Sequence, residues 1–290
     1  MDDKYSVFNP EGGLGKIVAS TAIVTAIKKQ YPDRKLIVVS PWPEPFINNP
    51  NVYRVYRSGN TPYFYRDYVQ DKDTIFFKGE PYFSTGHILK QRHVVESWCE
   101  LFKLEYDNES PQLFFNPREL TYVTNKYVSD KPIAILQTSG GMYRSDSAYS
   151  WTRDLPPGQA QEIANGLIQQ GYNVIQVCGD KGYKLQNVSV LPEVPKRELL
   201  SLLTISKKRI LIDSCLQHAA AALGLPSTVC WIGTSHITFG YNIHRNIYPI
   251  VEPTSDTLFD SFLFDYDFNG PVVQYPFNTA DLFDVTTVIN

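Results

Sequence analysis

Apolar and polar positions follow two regimes along the chain, short uniformly apolar runs and longer stretches with apolar residues at helical spacing. YSVFN (5–9), KLIVVS (35–40), VYRVY (52–56) and TIFFKG (74–79) are of the first kind and predict strands. GKIVASTAIVTAIKKQY (15–31) is of the second kind and predicts a helix. Residues 5–40 therefore read as one βαβ unit, which implies parallel strands and a right-handed crossover. ILKQRHVVESWCELFKL (88–104) predicts one amphipathic helix, and RELTYVTNKYV (118–128) another.

The pattern restarts after SDKP (129–132). PIAILQTSGG (132–141), NVIQVCGD (173–180), KRILID (208–213) and STVCWIG (227–233) predict strands. PPGQAQEIANGLIQQGY (156–172), with prolines at its start and glycine at its end, predicts a helix, as do PKRELLSLLTIS (195–206) and SCLQHAAAALGLP (214–226). The expected fold is α/β: two Rossmann-like domains facing across a cleft, residues 1–130 and 131–290. Ligands of open α/β sheets bind beyond the carboxyl ends of the strands. Loops 10–15, 138–144, 178–182 and 213–218 are accordingly expected to line that cleft.

Two of these loops carry candidate chemistry. NPEGGLGKIVAS (9–20) places Gly12, Gly13 and Gly15 before Lys16, where a strand passes into a helix. It fits neither the P-loop pattern nor the dinucleotide fingerprint, because Pro10 stands where the first P-loop glycine would be and Val18 where the third fingerprint glycine would be. In the 213–226 run a strand ends in Asp213 and Ser214 opens a helix, with His218 about one turn in. Free N–H groups and the positive end of the dipole at such a helix start suit a diphosphate.

Bulk composition narrows the class. The net charge is −3, and the densest basic cluster, SKKR at 206–209, reads as solvated charge at an element boundary. A local patch can still bind phosphate without a basic average. The four cysteines contain no C-x-x-C pair and read as thiols of a reducing compartment. No stretch of 18 apolar residues occurs, so no transmembrane segment is expected, and neither is a signal peptide in MDDKYSVFNP; a cytoplasmic location follows as an expectation. His87, His93, His218, His236 and His244 show no metal-ligand spacing, and no G-x-S-x-G elbow is present.

The run DSCLQHAAAALGLP (213–226) is similar to the D-T-G-L-M-H-L-A-A-A-L-G-x-P pattern of the heptosyltransferase-like family 9 glycosyltransferases. ILQTSGG (135–141), SWTRDLPPGQAQEIANGL (150–167), VIQVCGD (174–180) and GGLGKIVASTAIVTAIKKQYPDRKLIVVS (12–40) resemble further family segments in the same order, while residues 41–130 match nothing we can name. The resemblance implies the GT-B fold, a nucleoside-diphosphate sugar as donor, inversion at the anomeric carbon, and no metal or other cofactor. It implies a donor site at Gly13, Gly15, Ser139, Gly140, Arg153, Gly179, Asp180, Asp213, Ser214 and His218. Arg153 falls on the family's basic donor-phosphate residue, Leu155 replaces its tryptophan, and Asp180 is the acid nearest the donor ribose. The acceptor side falls in the N-terminal half, where Glu80, Tyr82 and His87, with Lys90 and Arg92, are the candidate contacts. One departure stands out: Lys16 occupies the place of the family's presumed catalytic aspartate. Lys16 and Glu11, the nearest carboxylate, are therefore the catalytic candidates.

A saccharide of the lipopolysaccharide type or a hydroxylated DNA base are the two expected acceptors. A catalytically degenerate nucleotide-sugar-binding protein and a nucleotide-sugar epimerase of the same fold are the rival readings.

Overall fold

A computed structural model describes residues 3–140, 152–253 and 277–290. Two wholly parallel sheets organise them. The first contains β1 (Lys4–Phe8), β2 (Lys35–Ser40), β3 (Arg54–Arg57) and β4 (Asp73–Phe77) in the order β3-β2-β1-β4. The second contains β5 (Ile133–Gln137), β6 (Asn173–Val177), β7 (Ser189–Val190), β8 (Lys208–Ile212), β9 (Thr228–Cys230) and β10 (Arg245–Ile247) in the order β10-β9-β8-β5-β6-β7. The expected α/β architecture is thus present, with β7 and β10 added as short edge strands that the apolar pattern does not reveal.

Helices fill the crossovers: α1 (Leu14–Gln30), α2 (Phe64–Tyr68), α3 (Thr85–Ile88), α4 (Val94–Phe102), α5 (Pro117–Lys126), α6 (Pro157–Gln169), α7 (Lys196–Ser201), α8 (Cys215–Ala222), α9 (His236–Phe239) and α10 (Val285–Ile289). Every residue from Lys16 to Val24 in α1 is buried. A helix that is covered all round needs neighbours on every side. Ile17, Ile23 and Ile27 pack with Phe8, Leu36, Val38 and Trp98 in the core of the first sheet. Val18, on another face, packs with Leu216, Ala219 and Ala220 of α8 on the second. The alanines of α8 are what allow this close approach, and α1 therefore belongs to both halves of the core.

The single helix expected over 88–104 is two. The Gly86 carbonyl accepts from the N–H groups of Gln91 (2.8 Å) and Arg92 (3.2 Å), and Lys90 takes a positive φ of 56°, which ends α3. His93 then restarts the chain, its Nδ1 accepting from Val95 N at 3.3 Å as the cap of α4. The helix expected over 195–206 tightens into a 3-10 turn at Leu202–Ile205 after α7. Asn116 and Glu119 close a reciprocal capping box at the start of α5, which packs against α7 of the second sheet. Arg197 of α7 holds this junction: it donates to both Glu119 oxygens at 2.7 Å, to Phe114 O at 2.6 Å and to Glu44 O at 3.1 Å.

Candidate functional site

Strand order locates the site before any side chain is considered. In the first sheet the chain runs from β1 outward to β2 and β3, then returns to β4 on the other side of β1. In the second it runs from β5 to β6 and β7, then returns to β8 on the other side of β5. The order therefore reverses between β1 and β4 and between β5 and β8. Such switch points open the crevice in which α/β sheets bind ligands.

At the first switch point the first turn of α1 carries Lys16 and the loop after β4 carries Glu80. The Lys16 ammonium donates to both oxygens of Glu80, at 2.5 Å to Oε1. Tyr82 N donates to the same Oε1 at 3.1 Å. The ammonium also lies 4.3 Å from the centroid of the Tyr82 ring. It is enclosed, the Lys16 side chain being 6% exposed, whereas the Glu80 side chain is 34% exposed. Burial pulls the Lys16 pKa below its ordinary value and outweighs the opposing effect of Glu80. Gly12 adopts a φ of +113°, and a Cβ there would stand 2.9 Å from Lys16 Cδ, so this glycine both makes the turn and admits the lysine stem. Gly13 precedes α1 as its extended N-cap residue. Glu11 lies outside this cluster, 62% exposed and paired with Lys78 at 3.0 Å.

His87 stacks on Tyr82, ring centroids 4.6 Å apart, and both rings meet Phe239 edge-on from the second half of the chain. Burial, then the Lys16 charge, pushes the His87 pKa down to about 4, so the imidazole is neutral near neutral pH. Its Nδ1 is buried with no hydrogen-bond partner among the described residues.

At the second switch point the loop after β5 carries Ser139 and Gly140, and the loop after β8 carries Asp213 and Ser214. A Cβ on Gly140 would fall 2.4 Å from Ser214 Oγ, so only glycine lets the two loops touch. Gly140 N donates to Asp154 Oδ1 at 3.1 Å. Backbone bonds from Leu155 N to Thr138 O (3.0 Å) and from Gly233 N to Thr152 O (2.9 Å) pin the 152–155 segment. Arg153 is thereby held 3.7 Å from Asp213, with 31% of its side chain exposed. Leu155 is fully buried. Ser214 occupies the N-cap position of α8, yet its side chain makes no capping bond, contrary to the capping role expected of it. The Ser139 hydroxyl accepts from Gly179 N at 3.1 Å and ties this loop to the turn after β6, where Asp180 is exposed. Residues 141–144 of the expected glycine loop lie outside the described residues.

The two switch points abut. A Cβ on Gly15 would stand 3.2 Å from Cys215 N and 3.4 Å from the His218 ring. The start of α1 thus rests against the start of α8, one residue from Lys16 on one side and one from Ser214 on the other. His218 is buried, its Nδ1 2.9 Å from the Tyr241 hydroxyl. Burial and the neighbouring His93, His244 and Arg153 depress its pKa, so it offers a hydrogen bond rather than a charge. Tyr241 and Phe239, which close the contact with His87 and His93, are residues the sequence reading missed. A short aromatic run around Gly240 is the only signal they leave in the sequence. Among the described residues no group of three or more His, Cys, Asp or Glu side chains could hold a metal ion. No described helix is long and apolar enough to cross a membrane.

No protein-family model matches the sequence, and no curated protein matches it. Solved structures do. The E. coli ADP-heptose LPS heptosyltransferase II superposes with a TM-score of 0.66 at 18% identity, covering 86% of this chain and 91% of that one. The family 9 glycosyl transferase from Veillonella parvula gives 0.64 at 13% identity, covering 85% of each chain. The iron-containing dodecameric glycosyltransferase TibC of enterotoxigenic E. coli gives 0.62 at 15% identity, covering 85% of this chain and 62% of that one. The chain therefore has the GT-B fold of the heptosyltransferases and family 9 glycosyltransferases, with its two sheet switch points facing each other across the cleft.

Proposed function

We propose that the protein is a glycosyltransferase that moves a sugar from a nucleoside-diphosphate donor to a hydroxyl acceptor, with inversion. The observation that carries this reading is the abutment of the two switch points at Gly15 and Cys215. It sets a helix start with an adjacent arginine directly opposite an enclosed ion pair.

Under this reading the donor diphosphate lies at the second switch point. The free N–H groups at the start of α8, the Ser214 hydroxyl and Arg153 face the charge that grows on the leaving group. Gly140 and Gly15 keep side chains clear of it. Asp180, exposed after β6, is the candidate for the ribose. No metal is assigned a role, and charge balance falls to the helix end and Arg153. The acceptor lies at the first switch point, among Glu80, Tyr82 and His87. We favour a saccharide there, because the Tyr82–His87 stack and the exposed Phe83 beside it offer ring faces next to hydrogen-bonding groups. A hydroxylated DNA base is the alternative acceptor, and it predicts a salt-dependent gel shift that a saccharide acceptor does not.

The test is turnover. The protein is incubated with ADP-, UDP-, GDP- and CDP-sugars, alone and with acceptor glycans, and released nucleoside diphosphate is measured. Release that is stimulated by an acceptor supports the reading. Binding without release selects the degenerate relative, which draws on Lys16 standing where the resembling family keeps an aspartate. Neither binding nor release contradicts both.

A further inference from the structure

Five carboxylates stand at or beside the two switch points, and the structure separates them. Glu11 is mostly in solvent and paired with Lys78. Asp154 is fully buried beneath the β5 loop, where it accepts from Gly140 N. Asp213 is nearly buried and faces Arg153. Asp180 is exposed in the turn after β6. Glu80 alone of the five is both partly exposed and held by an enclosed cation, the Lys16 ammonium, with Tyr82 N as a second donor.

We propose that Glu80 is the general base of the transfer reaction and that Lys16 is its positioning residue, an assignment that rests on the glycosyltransferase reading above. A carboxylate has about four acceptor positions. Lys16 touches both oxygens and Tyr82 N takes a second position on Oε1. The remaining lone pairs belong to a side chain that is one-third exposed. Lys16 sits one residue from Gly15, and Gly15 lies against the start of α8. Under this assignment the acceptor hydroxyl comes from the first switch point and the diphosphate departs toward the second, the two ends of a single inverting displacement.

The step balances without a further reagent. The acceptor hydroxyl gives its proton to Glu80 as its oxygen bonds to the anomeric carbon. The bond from that carbon to the diphosphate oxygen breaks, and the diphosphate leaves with the electron pair. The ammonium of Lys16 holds the carboxylate in place until the proton arrives. General bases of this kind contribute about 10²- to 10⁴-fold to rate.

The experiment compares wild type with Glu80→Gln, Glu80→Asp and Lys16→Met. The affinities of ADP, UDP, GDP and CDP are measured by calorimetry, and release of nucleoside diphosphate from whichever nucleotide-sugar the wild type consumes is measured across pH. Expected for Glu80→Gln are an unchanged nucleoside-diphosphate Kd and a kcat reduced about 10²- to 10⁴-fold, with the acidic limb of the pH–rate profile lost. Glu80→Asp should recover part of the rate. Lys16→Met should lower kcat and shift that limb while the Kd holds. A Glu80→Gln enzyme within threefold of wild type, with its acidic limb intact, overturns the proposal and leaves the glycosyltransferase reading standing. A wild type that binds none of the four nucleotides and consumes no sugar donor overturns that reading, and this assignment with it.

Discussion

Lys16 and Glu80 lie 64 residues apart in the chain and meet as an ion pair where β1 and β4 part. A lysine 6% exposed requires a partner, because burying an unpaired charge costs several kcal/mol. Glu80→Gln removes that charge partner and keeps the shape. We expect a loss of about 1–3 kcal/mol in urea unfolding for Glu80→Gln and a smaller loss for the double variant Lys16→Met/Glu80→Gln, which leaves no buried charge behind. Equal losses would mean that the two side chains do not interact.

The contact between the two halves rests on Gly15. Its missing Cβ faces Cys215 N at 3.2 Å, backbone that cannot swing aside. Gly15→Val should destabilise by about 1–3 kcal/mol through overpacking and weaken nucleoside-diphosphate binding at least tenfold. Gly13→Ala, where no atom lies within 4 Å of the added carbon, should do neither. Thermal melts and calorimetry on the two variants check this.

Arg197 gathers Glu119, Phe114 O and Glu44 O into one junction between the two sheets. Its bond holds the Glu119 carboxyl below the usual range. Arg197→Ala should cost about 2–4 kcal/mol in urea unfolding, and Arg197→Lys most of that, because lysine cannot serve a bidentate fork. A loss under about 0.5 kcal/mol for Arg197→Ala would match a surface pair instead.

Acid should destabilise the protein in two stages, first at His87 and then at the Arg197–Glu119 junction. The His87 pKa in the folded protein is about 4, below its ordinary value of 6.5. The unfolded chain therefore takes up the proton first. The stability tied to neutral His87 is complete above pH 6.5 and falls as the pH drops from about 6.5 toward about 4. Glu119 titrates the other way in chemistry but with the same sign: its depressed folded pKa gives stability that is lost only at lower pH, as the pH falls through that folded value. His87→Gln should flatten the upper stage by up to about 1.4 kcal/mol per pH unit and leave the lower one. Unfolding free energies measured from pH 7 to 3 test the assignment, and an unchanged upper slope refutes it.

The fold was largely legible in the chain. KLIVVS matches β2 residue for residue, because a strand buried on both faces leaves a continuous apolar run. The helix of 15–31 was visible, but not why it is apolar all round, since its second partner, α8, lies two hundred residues on. The break between α3 and α4 was hidden: it depends on Lys90 adopting a left-handed conformation, which composition does not signal. In the site, Lys16 and Glu80 were each noticed, yet nothing local couples residues on two different strands. Glu11 drew attention by sequence adjacency to the glycines, whereas the pairing of β1 with β4 brings Glu80 to the lysine instead.

A metal should be dispensable if Arg153 and the start of α8 carry the diphosphate charge. Turnover in about tenfold excess chelator, a level that strips weakly held divalent ions, should match turnover without it. TibC is iron-containing, so a loss that is restored by added metal would replace this assignment.

If the donor diphosphate sits between Arg153 and the start of α8, removing the arginine must weaken nucleotide binding. Calorimetric titration of ADP, UDP, GDP and CDP into wild type and Arg153→Ala should give one nucleotide bound tightly by wild type. Arg153→Ala should weaken that nucleotide by about tenfold to a hundredfold, the loss of a charge-assisted phosphate contact, in a variant shown by circular dichroism to be folded at the titration temperature. Equal affinity in the two proteins would contradict the placement of the diphosphate between Arg153 and the start of α8.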